Sequence, residues 1–264
     1  MKKIVVVIAH FNNPKGLKDS LSSIQEDFNI DIIVVDDGST TKFDEDLIRE
    51  AYTTGTIYFD YLASNQGVGV AANRGLDLAV EKKYELIGRL DCGDFCHPNK
   101  YKKQLDYLLK NPDVKLLGTW AQVLDEKGNF LHNLKHPVTY SEIKKKMYLN
   151  SMFLNPSVVF YSSILEKTGK YPYKYRRAAQ DYAFFFNVIK HYKAENLPEI
   201  CMDYIVESHS ISTKNRKLQV KNRISILKEH FYWGVYPLYG IIRSTFLYFI
   251  PRNLSTAIKK LFKI

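Results

Sequence analysis

From Lys3 to Asp91 the chain alternates near-continuous apolar runs with segments whose apolar residues recur at helical spacing. KIVVVIAH (3–10), IDIIVVDD (30–37), TIYFDYL (56–62) and YELIGRLD (84–91) read as strands, and GLKDSLSSIQED, DEDLIREAY and GVAANRGLDLAVEK between them as helices. Strands this apolar need cover on both faces, and strand–helix–strand repeats give parallel order. The expected class is therefore α/β, with a mostly parallel central sheet flanked by helices. PNKYKKQLDYLLKN follows as a helix with proline at its first position. Beyond Asn111, VKLLGTWAQVLDEKGNFLHN reads as two strands around a Lys-Gly-Asn turn, YSEIKKKMYL as an amphipathic helix and DYAFFFNVIKHY as a further helix, so this half should complete the sheet.

Ligands of such sheets bind beyond the carboxyl ends of the strands. Asp36 and Asp37 close the second strand, Asp91 closes the fourth, and Asp94 follows in RLDCGD (89–94). Carboxylates crowded at one rim repel one another, and a divalent cation or a basic ligand relieves that repulsion. Asp94 also reads as the cap of the helix that begins near Pro98. The 264 residues, 45% hydrophobic, suffice for one large domain, without low-complexity tracts or a Gly/Ser linker. The short apolar start leads into a polar turn and reads as a strand, not a signal peptide. Three cysteines form an odd set that suits a reducing compartment; Cys92, Cys96 and His97 lack a second ligand pair and read as buried small side chains rather than a zinc site.

Charge is unevenly distributed. From Val206 onward there are eleven Lys and Arg against two acids, so most of the net +10 lies in the tail. A globular nucleic-acid binder would carry its basic patch on the folded domain, so nucleic acid is not the expected partner. FYWGVYPLYGIIRSTFLYFI (231–250) is long enough to suggest a membrane span, but Pro237, Arg243 and two glycines interrupt it. The tail has two readings: an interfacial helix pair on an anionic membrane, finished by STAIKKLFKI, or a helical subdomain packed on the core with solvated lysines.

Four stretches stand in an order that resembles the family 2 glycosyltransferases of GT-A fold, of the bacterial surface-polysaccharide type. They are VVDDGST (34–40), NQGVGVAANRG (65–75), RLDCGD, and NPSVVFYSSILEKTGKYPYKYRRAAQDYAFFF (155–186), and the likeness spans residues 3 to 210. It implies a catalytic domain over 1–207, with a nucleotide-sugar half (1–94) and an acceptor half (95–207), followed by a helical tail over 208–264. It implies an inverting transferase that moves a sugar from a UDP, dTDP or GDP donor to a hydroxyl of a lipid-linked or growing surface glycan such as lipopolysaccharide, O-antigen or capsule. The enzyme would work in the cytoplasm, peripheral on the inner face of the cytoplasmic membrane. Asp36 and Asp37 would hold base and ribose; Asn65, Gly67, Asn73, Arg74, Arg89 and Asp91 would complete the donor site, with Asn73 and Arg74 facing it. Asp91 and Asp94, with His209 near the diphosphate, would hold Mg²⁺ or Mn²⁺, although Gly93 replaces a common third-position acid. Asp181, in an AAQDY that carries Gln180 for the usual glutamate, would be the base.

Two other classes compete with this one. Gly67, Gly69 and Ala72 imitate a dinucleotide fingerprint of an NAD(P) oxidoreductase, but they follow the third strand, whereas that fingerprint follows the first. A non-catalytic basic protein binding membrane or nucleic acid would be indifferent to Asp91 and Asp181.

Overall fold

The computed structural model describes residues 3–206 and 216–250. Nine strands form one sheet: β1 (Ile4–His10), β2 (Asp31–Asp36), β3 (Ile57–Tyr61), β4 (Leu86–Arg89), β5 (Phe95–Cys96), β6 (Val114–Asp125), β7 (Phe130–Leu134), β8 (Val159–Tyr161) and β9 (Lys193–Val206). Their order is β3-β2-β1-β4-β8-β6-β9-β5, with β7 paired to β6. The first four strands are parallel, as their unbroken hydrophobicity requires. β8 then runs antiparallel between β4 and β6, and β9 returns parallel to β6. The second half therefore does complete the sheet, in mixed order.

The helices are α1 (Pro14–Ser22), α2 (Glu45–Ala51), α3 (Val68–Glu81), α4 (Lys100–Lys110), α5 (Tyr140–Lys146), α6 (Leu165–Thr168), α7 (Gln180–His191), α8 (Arg216–Glu229) and α9 (Val235–Phe249). Successive strand residues point to opposite faces. Val5, Val7, Ile33 and Val35 accordingly pack with α3, α5, α7 and α8, while Val6, Ile8, Ile32 and Val34 pack with α1, α2 and α4. Phe184, Phe185 and Phe186 are all buried in the first of these layers.

The start of α4 differs from the sequence expectation. Pro98 lies outside the helix, whose N-cap Asn99 is left-handed and makes no side-chain cap. The caps come from Glu26, whose carboxylate accepts from Tyr101 N (2.7 Å) and Lys102 N (3.1 Å). Asp94 caps nothing there, because its Oδ1 accepts from Ile205 N at 2.9 Å.

α8 and α9 form an antiparallel hairpin, since Arg216 at the start of α8 donates to Leu247 O (3.3 Å) and Ile250 O (2.8 Å) near the end of α9. It is bolted to the core. Tyr148 Oη donates to His230 O (2.6 Å), Arg243 to Leu149 O (2.8 Å), Arg223 to Asn150 Oδ1 (2.7 Å) and Asn222 Nδ2 to Ala178 O (2.9 Å). Through these bonds one side of the hairpin packs on the core, as the second reading of the tail expects, and they leave its outer side open. No helix among the described residues is long and apolar enough to cross a membrane.

Candidate active site

The carboxyl ends of β1, β2 and β4, the N-terminal end of α3 and the start of α7 meet at one rim. Asp36 ends β2 fully buried, accepting from Ser39 N (2.8 Å) and Lys42 Nζ (3.3 Å). Burial pushes its pKa up, but the bonds from Ser39 and Lys42 outweigh that and hold it below the usual carboxylate range. His10 lies beneath it, with Nδ1 3.9 Å from Asp36 Oδ1, and burial keeps the imidazole below its ordinary pKa. Asn13 N donates to His10 Nε2 at 3.1 Å, which leaves the ring proton on Nδ1, toward Ser39 and Asp36.

Asp37 is also buried. Its carboxylate accepts from Asn65 Nδ2 (3.0 Å), Gln66 N (2.8 Å) and Gly67 N (2.8 Å), and burial raises its pKa despite these bonds. The acidic pair is thus engaged by the protein itself. Asp36 is held by Ser39 and Lys42, and Asp37 forms the floor under the 65–67 loop, with the Asn65 amide turned onto it. Gly67, with φ +99°, turns that loop into α3.

Asn73 and Arg74 are both engaged by other parts of the protein. The Asn73 amide clasps the backbone of Tyr171, donating to its carbonyl (2.8 Å) and accepting from its N–H (2.9 Å). Arg74 makes a two-pronged pair with Asp60 of β3 (3.0 Å for both bonds).

Arg89 is fully buried; it donates to Val7 O (2.9 Å) and sets its other terminal nitrogen 3.6 Å from Asp91 Oδ1. Asn155 Nδ2 approaches the same oxygen at 3.4 Å. Asn155 Oδ1 in turn accepts from Tyr171 Oη at 2.9 Å, and the Tyr171 ring lies 5.8 Å from the Arg89 guanidinium. Asp91 is thereby oriented from two sides while its side chain stays 38% exposed. Burial in the cleft raises its pKa against the pull of Arg89 and Asn155. Asn155 and Tyr171 were not singled out in the sequence, although both lie in the block 155–186. Their importance comes from contacts 64 and 98 residues apart, which no local pattern reveals.

Asp181 occupies the first turn of α7 rather than its cap; the N-cap is left-handed Ala179. Burial raises its pKa, the Asp91 charge adds to the rise, and Arg223 opposes it. The charge of Asp91, 90 positions away in sequence, thus bears on Asp181. The glycine loop borders the start of α7, since a Cβ on Gly69 would lie 3.3 Å from Gln180 Cγ.

A hard divalent cation takes one or two carboxylates and fills its remaining positions with waters and substrate phosphates. Asp91, half-exposed and oriented, fits that demand. Asp94 fits it less well, being 4% exposed and bonded to Ile205. No group of three or more His, Cys, Asp or Glu poised for a metal occurs among the described residues. His209 lies outside them. Cys92, Cys96 and Cys201 form no disulfide, and His97 bonds instead to Asp203 (2.8 Å).

A doubly covered sheet in the order 3-2-1-4, a glycine loop at its rim, and two carboxylates brought there from distant elements are the features of a GT-A-type sugar transferase. The chain belongs to glycosyl transferase family 2, whose model matches residues 5–169, and it is a glycosyltransferase. It is 30% identical to an uncharacterized glycosyltransferase of Methanocaldococcus jannaschii, over 94% of this chain and 89% of that protein. It is 25% identical to the Escherichia coli UDP-Gal:alpha-D-GlcNAc-diphosphoundecaprenol beta-1,3-galactosyltransferase, over 97% of this chain and 94% of that one. The fold matches that of a mannosyltransferase from Pyrobaculum calidifontis, solved with GDP-Man and Mn²⁺, at a TM-score of 0.64 and 15% identity, covering 92% of this chain and 68% of that one.

Proposed function

We propose that the enzyme transfers a sugar, with inversion, from a nucleoside-diphosphate sugar to a hydroxyl of a lipid-linked or growing surface glycan. The observation that carries this reading is the placement of two carboxylates at one rim beside the glycine loop, Asp91 held by Arg89 and Asn155 just past β4 and Asp181 in the first turn of α7. The names of relatives support the substrate class, the Escherichia coli protein being named for a UDP-sugar donor and a diphosphoundecaprenol-linked acceptor.

In this mechanism the acceptor hydroxyl gives its proton to the Asp181 carboxylate as its oxygen bonds to the anomeric carbon. The bond from that carbon to the diphosphate oxygen breaks, and the nucleoside diphosphate leaves from the opposite face. Burial of Asp181 strengthens it as a base relative to an ordinary aspartate. Asp37 keeps the 65–67 loop in shape beside Asp36, the pair lying where base and ribose would be held, while Arg89, Asn155 and Tyr171 hold Asp91 where a divalent cation would be bound. When present, that cation supplies charge stabilisation for the departing diphosphate.

Thermal melting with UDP, dTDP, GDP, CMP and NAD, each with and without Mn²⁺, tests the reading. A rise with one nucleoside diphosphate that depends on Mn²⁺ is the expected result, because a ligand selective for the native state raises its melting temperature. A rise with NAD alone overturns it.

A further inference from the structure

Helix α9 packs inside out. Its buried residues are Pro237, Gly240 and Ser244, a stripe of small side chains spaced three and four apart. The fit is close, since a Cβ on Gly240 would stand 2.2 Å from Tyr148 O. The large apolar residues face the other way: Val235 (80% exposed), Ile242 (59%), Phe246 (65%) and Phe249 (77%), preceded by Trp233 (88%). An ordinary surface helix does the reverse, and soluble proteins seldom leave so continuous an apolar patch uncovered.

We infer that this face of α9 docks on the surface of an anionic lipid bilayer, without spanning it. Charge argues for lipid. Lys217, Lys221 and Lys228 are exposed along one face of α8, the partner helix of the hairpin, and the sequence that follows adds Arg252, Lys259, Lys260 and Lys263 with no acid. A row of lysines paired with an apolar stripe suits anionic headgroups above acyl chains. Aromatic composition agrees, because Trp233, Tyr236, Tyr239 and Tyr248 carry polar edges on apolar rings, the chemistry of the membrane–water boundary. The hairpin is rigidly joined to the site, Asn222 of α8 bonding the carbonyl of Ala178, three residues before Asp181. Docking would therefore present the α7 end of the cleft to a lipid-borne acceptor, which deepens the proposed function; the membrane contact itself does not depend on the role given to Asp181.

Trp233 supplies the test. The chain has two tryptophans, so Trp120→Phe leaves Trp233 as the only reporter. Its emission should shift to the blue, and the protein should sediment, with vesicles containing phosphatidylglycerol. Binding should fall on raising the salt to about 0.5 M, where screening shortens the reach of the lysines. Ile242→Asp with Phe246→Asp removes two apolar side chains from the bilayer contact and should weaken partitioning by at least about tenfold. Lys217→Gln, Lys221→Gln and Lys228→Gln together should weaken it on anionic vesicles and leave neutral phosphatidylcholine unaffected. Retention of the Mn²⁺-dependent melting shift with nucleotide shows that the variants fold, and it separates failure here from failure of the proposed reaction. An unshifted Trp233 overturns the inference. So does a dimer that Phe246→Asp splits with vesicle binding unchanged, because the face would then belong to a second copy of the chain.

Discussion

Asp181 carries two opposed burdens. Its raised pKa makes it a better base, and the same burial makes its charged form unfavourable in the folded protein. The folded state therefore binds the proton more tightly than the unfolded chain, and stability falls as pH rises from the ordinary aspartate range through the folded pKa. Asp181→Asn should raise the melting temperature at neutral pH while cutting transfer about 10²- to 10⁴-fold and sparing nucleotide binding. The acid limb of the wild-type rate profile should lie above the range of a solvated aspartate, because activity is lost as pH falls through that raised value. A profile flat down to the normal aspartate range would remove Asp181 from the role. Tyr171→Phe deletes the hydroxyl that holds Asn155 against Asp91, and loss of a group that orients a ligand weakens metal binding about 10- to 100-fold. Titration of nucleotide binding against Mn²⁺ should show that loss with the fold intact. At this scale the aspartates were legible because strand ends and helix starts are local features. The partners of Asn73 and Arg74, Tyr171 and Asp60, were not, because sequence proximity to a glycine loop says nothing of which way a helical side chain points.

Elements were more legible than their attachments. The parallel strands follow from unbroken apolar runs, and α5 and α7 from helical spacing. The pairing of β9 with β6 and the insertion of β8 beside β4 depend on contacts that no neighbouring residues announce. Helix α4 shows the same limit, since its cap is Glu26, 75 residues away. Glu26→Ala should cost about 0.5–2 kcal/mol, the usual loss of a cap, read as a lowered denaturation midpoint with the slope unchanged. At the hairpin, Gly240→Ala drives a methyl into the Tyr148 carbonyl and should destabilise the α9 contact by about 1–3 kcal/mol. Faster amide exchange confined to α8, α9 and residues 147–150 would be its signature.

The whole molecule is one sheet. β4, from the first part of the chain, is bonded to β8 from the second, and α7 packs over strands it does not follow. Class and family signature were legible because they rest on order along the chain; the outward face of α9 was half legible, since composition proclaimed an aromatic, basic tail but not which side of it would be covered. Denaturation followed at Trp120 and by far-ultraviolet dichroism should give a single coincident transition, because neither part of the sheet has an independent core. The Asn73–Tyr171 clasp adds a consequence for recombining such enzymes. A donor-binding segment grafted from another member brings its own residue at position 73, while the loop it must grip stays with the host. Chimeras split between the two should lose the seat of Asp91 even when every residue of both cleft linings is present, and crossovers that carry both partners together are the ones that should remain active.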